Sequence, residues 1–169
     1  MINSTSPILV LPRNILFPLL AGGILMAACY GATFMLAAYL EQLGFDFTLA
    51  GTAVSAGVIV TLISAIFAGR MAQRFGLVMS VVVSAILMSL AMFSFAAASA
   101  MPVFIYAGGV FLGAAWAVFY ILAPLIIIDR VDSTVRVRYL TYLSGAQMLG
   151  LGLSQPTGGF LINLGATYI

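Results

Sequence analysis

The chain has 169 residues, a formal net charge of +2, 64% hydrophobic and 6% charged residues, and a mean hydropathy of +1.23. A soluble domain carries about a quarter charged residues, and a chain this short has too little interior to hide so much apolar surface from water, so the bilayer is its solvent. With no histidine and one cysteine, Cys29, a disulfide framework, histidine-based metal sites and Ser/His/Asp or Cys/His catalysis are excluded; neither an enzyme nor a cofactor is expected.

Five apolar runs are each long enough to cross a hydrocarbon core of about 30 Å as a helix. They cover residues 15–40, 48–69, 77–98, 103–128 and 139–164 and predict an all-α, multi-span integral membrane bundle. Residues 1–14 form the N-terminal tail and 165–169 the opposite end. Unbroken runs rich in Ala, Leu and Met argue against the alternating segments of about ten residues that a barrel requires. The first run follows Arg13 but far exceeds the apolar core of a signal peptide, about 7 to 15 residues, and reads as a retained span. On it Gly23, Met26, Tyr30, Thr33 and Ala37 share a face. Tyr30 and Thr33 are candidate solute contacts, although a threonine hydroxyl can equally bond back to its own helix.

In the second run Thr48, Gly51, Thr52 and Ser55 lie on one face and Gly57, Thr61, Ser64 and Ala68 on the other. Small and polar residues on two faces predict a helix enclosed by neighbours on both sides. The third run scatters serines among Val, Ile, Leu, Met and Phe and reads as a peripheral, lipid-facing helix. On the fourth, Tyr106, Gly109, Gly113, Trp116, Ala117, Tyr120 and Pro124 gather within about a third of the circumference, opposite Phe104, Phe111, Ala115, Val118 and Leu122. The glycines read as a strip for close helix packing. For Trp116 and Tyr120 a water-filled cavity and a packing seam both remain open. The fifth run places Ser144, Gln147, Leu151, Gln155 and Gly158 on one face; Gln147 and Gln155 are candidate solute contacts or interhelical glue.

All six basic residues are arginines: Arg13, then Arg70 and Arg74, then Arg130, Arg136 and Arg138. Across five spans they fall on a single side, which by the retention of basic residues in the cytoplasm places the N-terminus inside, Glu41 and Asp46 outside, and the chain in a cell (plasma or inner) membrane. The arginines are therefore topology determinants, and nucleic acid is not an expected partner.

Gly69, then three residues, then Gln73, Arg74, Phe75 and Gly76 resembles the loop signature of the major facilitator superfamily, which runs Gly, three residues, Asp, Arg, any residue, Gly and two basic residues. Asp129 resembles the acid that the family places at the end of the fourth span to engage this loop, and Pro156, Gly158 and Gly159 in "GLGLSQPTGG" resemble the Gly-Pro signature of family antiporters. Gln73 stands for the Asp, Leu77 and Val78 for the basic pair, and no arginine lies within the fourth span. The resemblance implies transport of a small solute by alternating access. It implies a cytoplasmic latch of Gly69, Arg74, Gly76 and Asp129, and bending of the fifth span at Pro156, Gly158 and Gly159. The expected cavity contacts are Tyr30, Thr33, Tyr106, Trp116, Tyr120 and Gln147; an uncharged aromatic lining suits neutral or amphipathic solutes more than a dianion. Family halves hold six spans in inverted repeats of three, so the chain reads as most of an N-terminal half, cut before a sixth span. The expected partners are membrane lipids, the solute and a C-terminal half. The rival reading, a non-transporting assembly module or an inactive truncated fragment, draws on the lack of any ionisable residue at membrane depth.

Overall fold

The computed structural model describes residues 10–165; the first nine and last four residues, which include parts of the expected tail and terminal end, lie outside the described residues. Among the described residues every regular element is helical. Helix α1 (Arg13–Ala32) starts beyond Pro12, whose carbonyl accepts from Ile15 and Leu16 at 3.0 Å. A 3₁₀ turn at Thr33–Met35 then interrupts the rod before α2 (Leu36–Gln42) continues it. Gly44, at φ +80°, reverses the chain, and Asp46 caps α3 (Phe47–Phe75) by accepting from the Thr48 amide at 3.2 Å.

Gly76 joins α3 to α4 (Leu77–Ala96) with no intervening loop. Its φ of +83° and ψ of 156° lie in a region essentially closed to residues with a Cβ. Its N–H closes α3 on the Ala72 carbonyl at 2.9 Å, while its own carbonyl accepts the Ser80 amide and hydroxyl. A 3₁₀ turn at Ala97–Ser99 leads to α5 (Val103–Arg130), and Asp132 caps α6 (Ser133–Gly165) through the Thr134 amide at 3.3 Å. Four apolar rods are long enough to cross a membrane: Arg13–Gln42, Thr48–Phe75, Leu77–Ser99 and Val103–Arg130. The stretches between the second and third and between the fourth and fifth apolar runs are largely helical: "RMAQRFG" completes α3 and "DRVDSTVRVR" runs from α5 into α6.

Helix α5 is the keystone. More than half of its most apolar stretch is buried, 56% against 17% for α3, because α3 and α4 pack on two of its flanks. The seam with α3 is made of backbone. A Cβ on Gly57 would stand 2.7 Å from the Gly109 carbonyl oxygen, and side chains on Gly109 and Gly113 would collide with the Ala53 and Gly57 carbonyls. The other extensive seam joins α1 to α6, where Gly150 fits under the Ile24 carbonyl and Gly31 beside Ser154. Along the middle, Leu19 and Met26 of α1, Met88 and Ala91 of α4, Phe119 and Ile127 of α5 and Leu143 of α6 form one core. Toward the end away from the arginines, Leu36 and Leu40 of α2 pack with Ala53, Phe95 and Ile105.

One expectation about faces changes. Helix α3 is not enclosed on both sides: Ala50, Ala53, Gly57 and Ala68 are buried, whereas Thr52 and Ser55 are exposed and Gly51 faces open space. Thr52 donates to the Leu49 carbonyl and Ser55 to the Gly51 carbonyl, so these hydroxyls are satisfied within their own helix and say nothing about neighbours. On α5 the face read as oily is core: Ala115, Val118 and Leu122 are buried, the last two against Ala68. Helix α4 lies at the periphery, burying only the stripe Ser80, Ser84, Met88, Ala91 and Phe95.

Candidate functional site

Near the middle of the first rod and of α5 three aromatic rings stack in series. Tyr30 lies on Trp116 with centroids 4.5 Å apart and planes 16° from parallel, and Trp116 lies on Tyr120 at 5.7 Å and 30°. Phe34 closes the Tyr30 end edge-on at 6.1 Å. The ladder follows from spacing: Trp116 and Tyr120 are four residues apart on one helix and therefore share a face, and Tyr30 comes from the facing helix. Trp116 stands fourteen residues before Arg130, about 21 Å of helix, and Tyr30 seventeen after Arg13, about 25 Å. Both depths fall near the middle of the rods.

Beside the ladder a cleft of about 80 Å³ is walled by Tyr30, Thr33 and Phe34 from the first rod, Val54, Gly57, Val58 and Thr61 from α3, and Leu112 and Gly113 from α5. Both threonines spend their protons on backbone. Thr33 donates to the Tyr30 carbonyl at 2.6 Å, and Thr61 bridges the Gly57 and Gly113 carbonyls at 2.9 and 3.2 Å. Their remaining lone pairs are acceptors.

The structure thus brings together Tyr30, Thr33, Trp116 and Tyr120 of the six expected cavity contacts. Tyr106 is ten residues up α5 from Trp116, about 15 Å, and its hydroxyl pairs with that of Thr52 at 3.0 Å. Gln147 is buried, 6% exposed, with its Cγ facing Gly23, and its Nε2 donor has no partner. Phe34, Thr61 and Leu112 were not singled out from the sequence as contacts. Phe34 was legible as the residue one turn beyond Tyr30, but Thr61 needed the register between α3 and α5.

At the arginine-bearing end, Gly76 makes the turn, while Gly69 lies inside α3 with open space around it. Arg74 rests over the Phe75 ring at 5.6 Å, and Asp129 is exposed; the structure does not bring the two into an ion pair. Arg138 donates to the Tyr142 hydroxyl at 2.6 Å, a bond that pushes its guanidinium pKa further up. Helix α6 runs unbroken through Pro156, which is exposed. Gly158 packs by Met35, and Gly159 faces open space.

Larger clefts, of about 310, 560 and 510 Å³, lie between the first rod and α4, lined mainly by Leu, Met, Val, Phe and Ala. They lack the convergent polar groups that orient a ligand, so the ladder is the better candidate despite its smaller cleft.

The helical architecture, the glycine turn between α3 and α4 and the charge-free middle of each rod narrow the choice of families, and the sequence pattern of the Major Facilitator Superfamily matches residues 19–169. The chain belongs to that superfamily. The match includes the ladder, the Gly76 turn and all of α6, so the site lies within the superfamily's own pattern and not in an appendage. No curated protein matches the chain. Membership makes this a membrane protein of transporter type.

Proposed function

We propose that the chain is the greater part of one half of a transporter that moves a small solute by alternating access, with the solute seated beside Tyr30, Trp116 and Tyr120. The observation that carries this reading is the ladder, a polar-tipped aromatic stack at mid-depth between two helices whose charges lie only at their ends. Aromatic hydroxyls at that depth are favourable beside water or solute and costly against lipid.

The seams support the same reading. Helix α1 pairs with α6 and α5 with α3. Exchanging the first rod for α5 and α3 for α6 interchanges these pairs, the relation an inverted repeat requires. Under that exchange α4, seated on α5, finds its counterpart in a further helix seated on the first rod, on the flank where the large apolar clefts open. With α6 as fifth span, a sixth span there and a second half facing the ladder complete the transporter, with the N-terminus in the cytoplasm of a cell (plasma or inner) membrane. Tyr106 and Gln147 would meet solute at the margins, the Gly76 turn with Arg74, Gly69 and Asp129 would latch one conformation, and Pro156 with Gly158 and Gly159 would let α6 flex.

The test is uptake into liposomes by the complete protein and by residues 1–169 alone. Saturable uptake by the complete protein that is abolished by Tyr120→Leu, with none from the 169-residue chain, is the expected result. Saturable uptake by the 169-residue chain as a monomer refutes the half-transporter reading. The rival assembly module, favoured by the lack of ionisable groups at depth, is supported if the complete protein moves no solute yet assembles.

A further inference from the structure

The groups around the ladder are unequal in sign. From the first rod through α5, no charged residue lies between Arg13 and Glu41, between Asp46 and Arg70, or between Arg74 and Asp129. An anion seated at Trp116 would therefore find no counter-charge; the nearest charge along α5 is Asp129, itself negative, nine residues from Tyr120. The polar atoms point the same way. The hydroxyl protons of Thr33 and Thr61 are committed to carbonyls, which leaves lone pairs toward the cleft. Pro124 lies within α5, four residues after Tyr120, and having no N–H it cannot give the Tyr120 carbonyl its helical partner. That carbonyl lacks the i+4 donor of a regular helix. The one obligate donor in the stack is the Trp116 indole N–H.

The rings complete the pattern. Tyr30 and Trp116 cover one another's faces, but Tyr120 is 58% exposed and carries a ring on one side only among the described residues. The face of an aromatic ring is the negative end of its quadrupole and attracts cations. No guanidinium lies over it: the arginines that rest on rings do so at Phe67, Phe75 and Tyr142. The Tyr120 ring thus offers a free π face with no arginine of this chain over it, at the far end of a ladder whose Tyr30 end borders the acceptor hydroxyls of Thr33 and Thr61.

Building on the transporter reading, we infer that the ladder selects a hydrophobic monovalent organic cation, an ammonium or phosphonium with an apolar body, seated on the free face of Tyr120. Its charge sits on the Tyr120 ring, without a carboxylate, while its apolar body lies against the neighbouring apolar surface. Selection by π faces is the mode used wherever quaternary ammonium groups are recognised by aromatic cages.

Trp116 is the single tryptophan, so its fluorescence reports this site alone. The purified chain in detergent would be titrated with tetraphenylphosphonium and with tetraphenylborate, which share shape and apolar area and differ in the sign of the charge. The phosphonium should perturb Trp116 emission saturably, and the borate at least about tenfold more weakly. Tyr120→Leu should weaken phosphonium binding by about 2- to 30-fold, while Tyr120→Phe, which keeps the ring, stays within about twofold of the parent. Equal or stronger binding of the borate overturns the inference, as does phosphonium binding unaltered in Tyr120→Leu. This readout is separate from uptake. Charge-selective binding without transport would refute only the transporter reading, and transport with no preference for cations would refute only the selectivity.

Discussion

Gly51 and Gly57 stand six residues apart on α3, and their surroundings give opposite expectations for one substitution. A Cβ at Gly57 meets the Gly109 carbonyl at 2.7 Å, whereas at Gly51 it meets nothing. Gly57→Ala should therefore part α3 from α5 and lower stability by about 1 to 3 kcal/mol, while Gly51→Ala should be neutral or raise it by up to about 1 kcal/mol through helix propensity; thermal unfolding in detergent would measure both. The same contrast separates the loop glycines. Gly76→Ala forces a side chain into a positive-φ conformation, at about 1 to 3 kcal/mol, and Gly69→Ala, inside a helix and in open space, costs nothing. At Gln147 the unpartnered Nε2 means that Gln147→Leu relieves a buried polar group and should not lower the melting temperature. The sequence made the ladder legible at this scale, since Tyr30, Trp116 and Tyr120 stood out as polar-tipped rings in apolar runs. It could not show that Tyr106 is committed to Thr52 or that Thr61 turns to Gly113, because those depend on helix register and not on helical spacing.

Among whole helices, length and apolarity were enough to find the four apolar rods, because a helix in lipid must satisfy its own backbone and so declares itself as an unbroken run; α6, expected as the fifth span, is as long but is not among them. Which side of each rod is buried was less legible. Small polar residues were read as contacts on both faces of α3, yet Thr52 and Ser55 bond to their own helix. On α5 the sequence showed an oily face but not what covers it, because such a face looks alike whether it meets lipid or the Ala68 side of α3. Single cysteines in a Cys29→Ala background distinguish these surfaces. In the complete protein, cysteines at Tyr120 and Thr61 should react with water-soluble thiol reagents, while those at Val118 and Leu122, both buried, should remain protected. Labelling at Val118 equal to that at Tyr120 would mean that α5 is turned differently from the structure described.

For the molecule as a whole, the six arginines gather at one end of the bundle through three separate chain segments. Impermeant labels added outside intact cells should therefore reach cysteines placed at Asp46 and Ala100 and not those at Gln73 and Ser133; outside labelling at Gln73 would reverse the orientation. The first rod has two allegiances within this arrangement. Below its 3₁₀ turn, α1 is fastened along α6; above it, α2 is bolted through Leu36 and Leu40 to α3, α4 and α5. The turn at Thr33–Met35 is the joint between them, and it borders the cleft. Helix α2 spans seven residues, a lever of about 10 Å, so a swing of about 10° at the joint would carry its tip about 2 Å. Because α2 is fastened to α3 and α5, which carry the opposite wall of the cleft, bending at this joint would shift that wall against Tyr30 while leaving the α1–α6 seam untouched, giving the rod a jaw whose pivot is already cut.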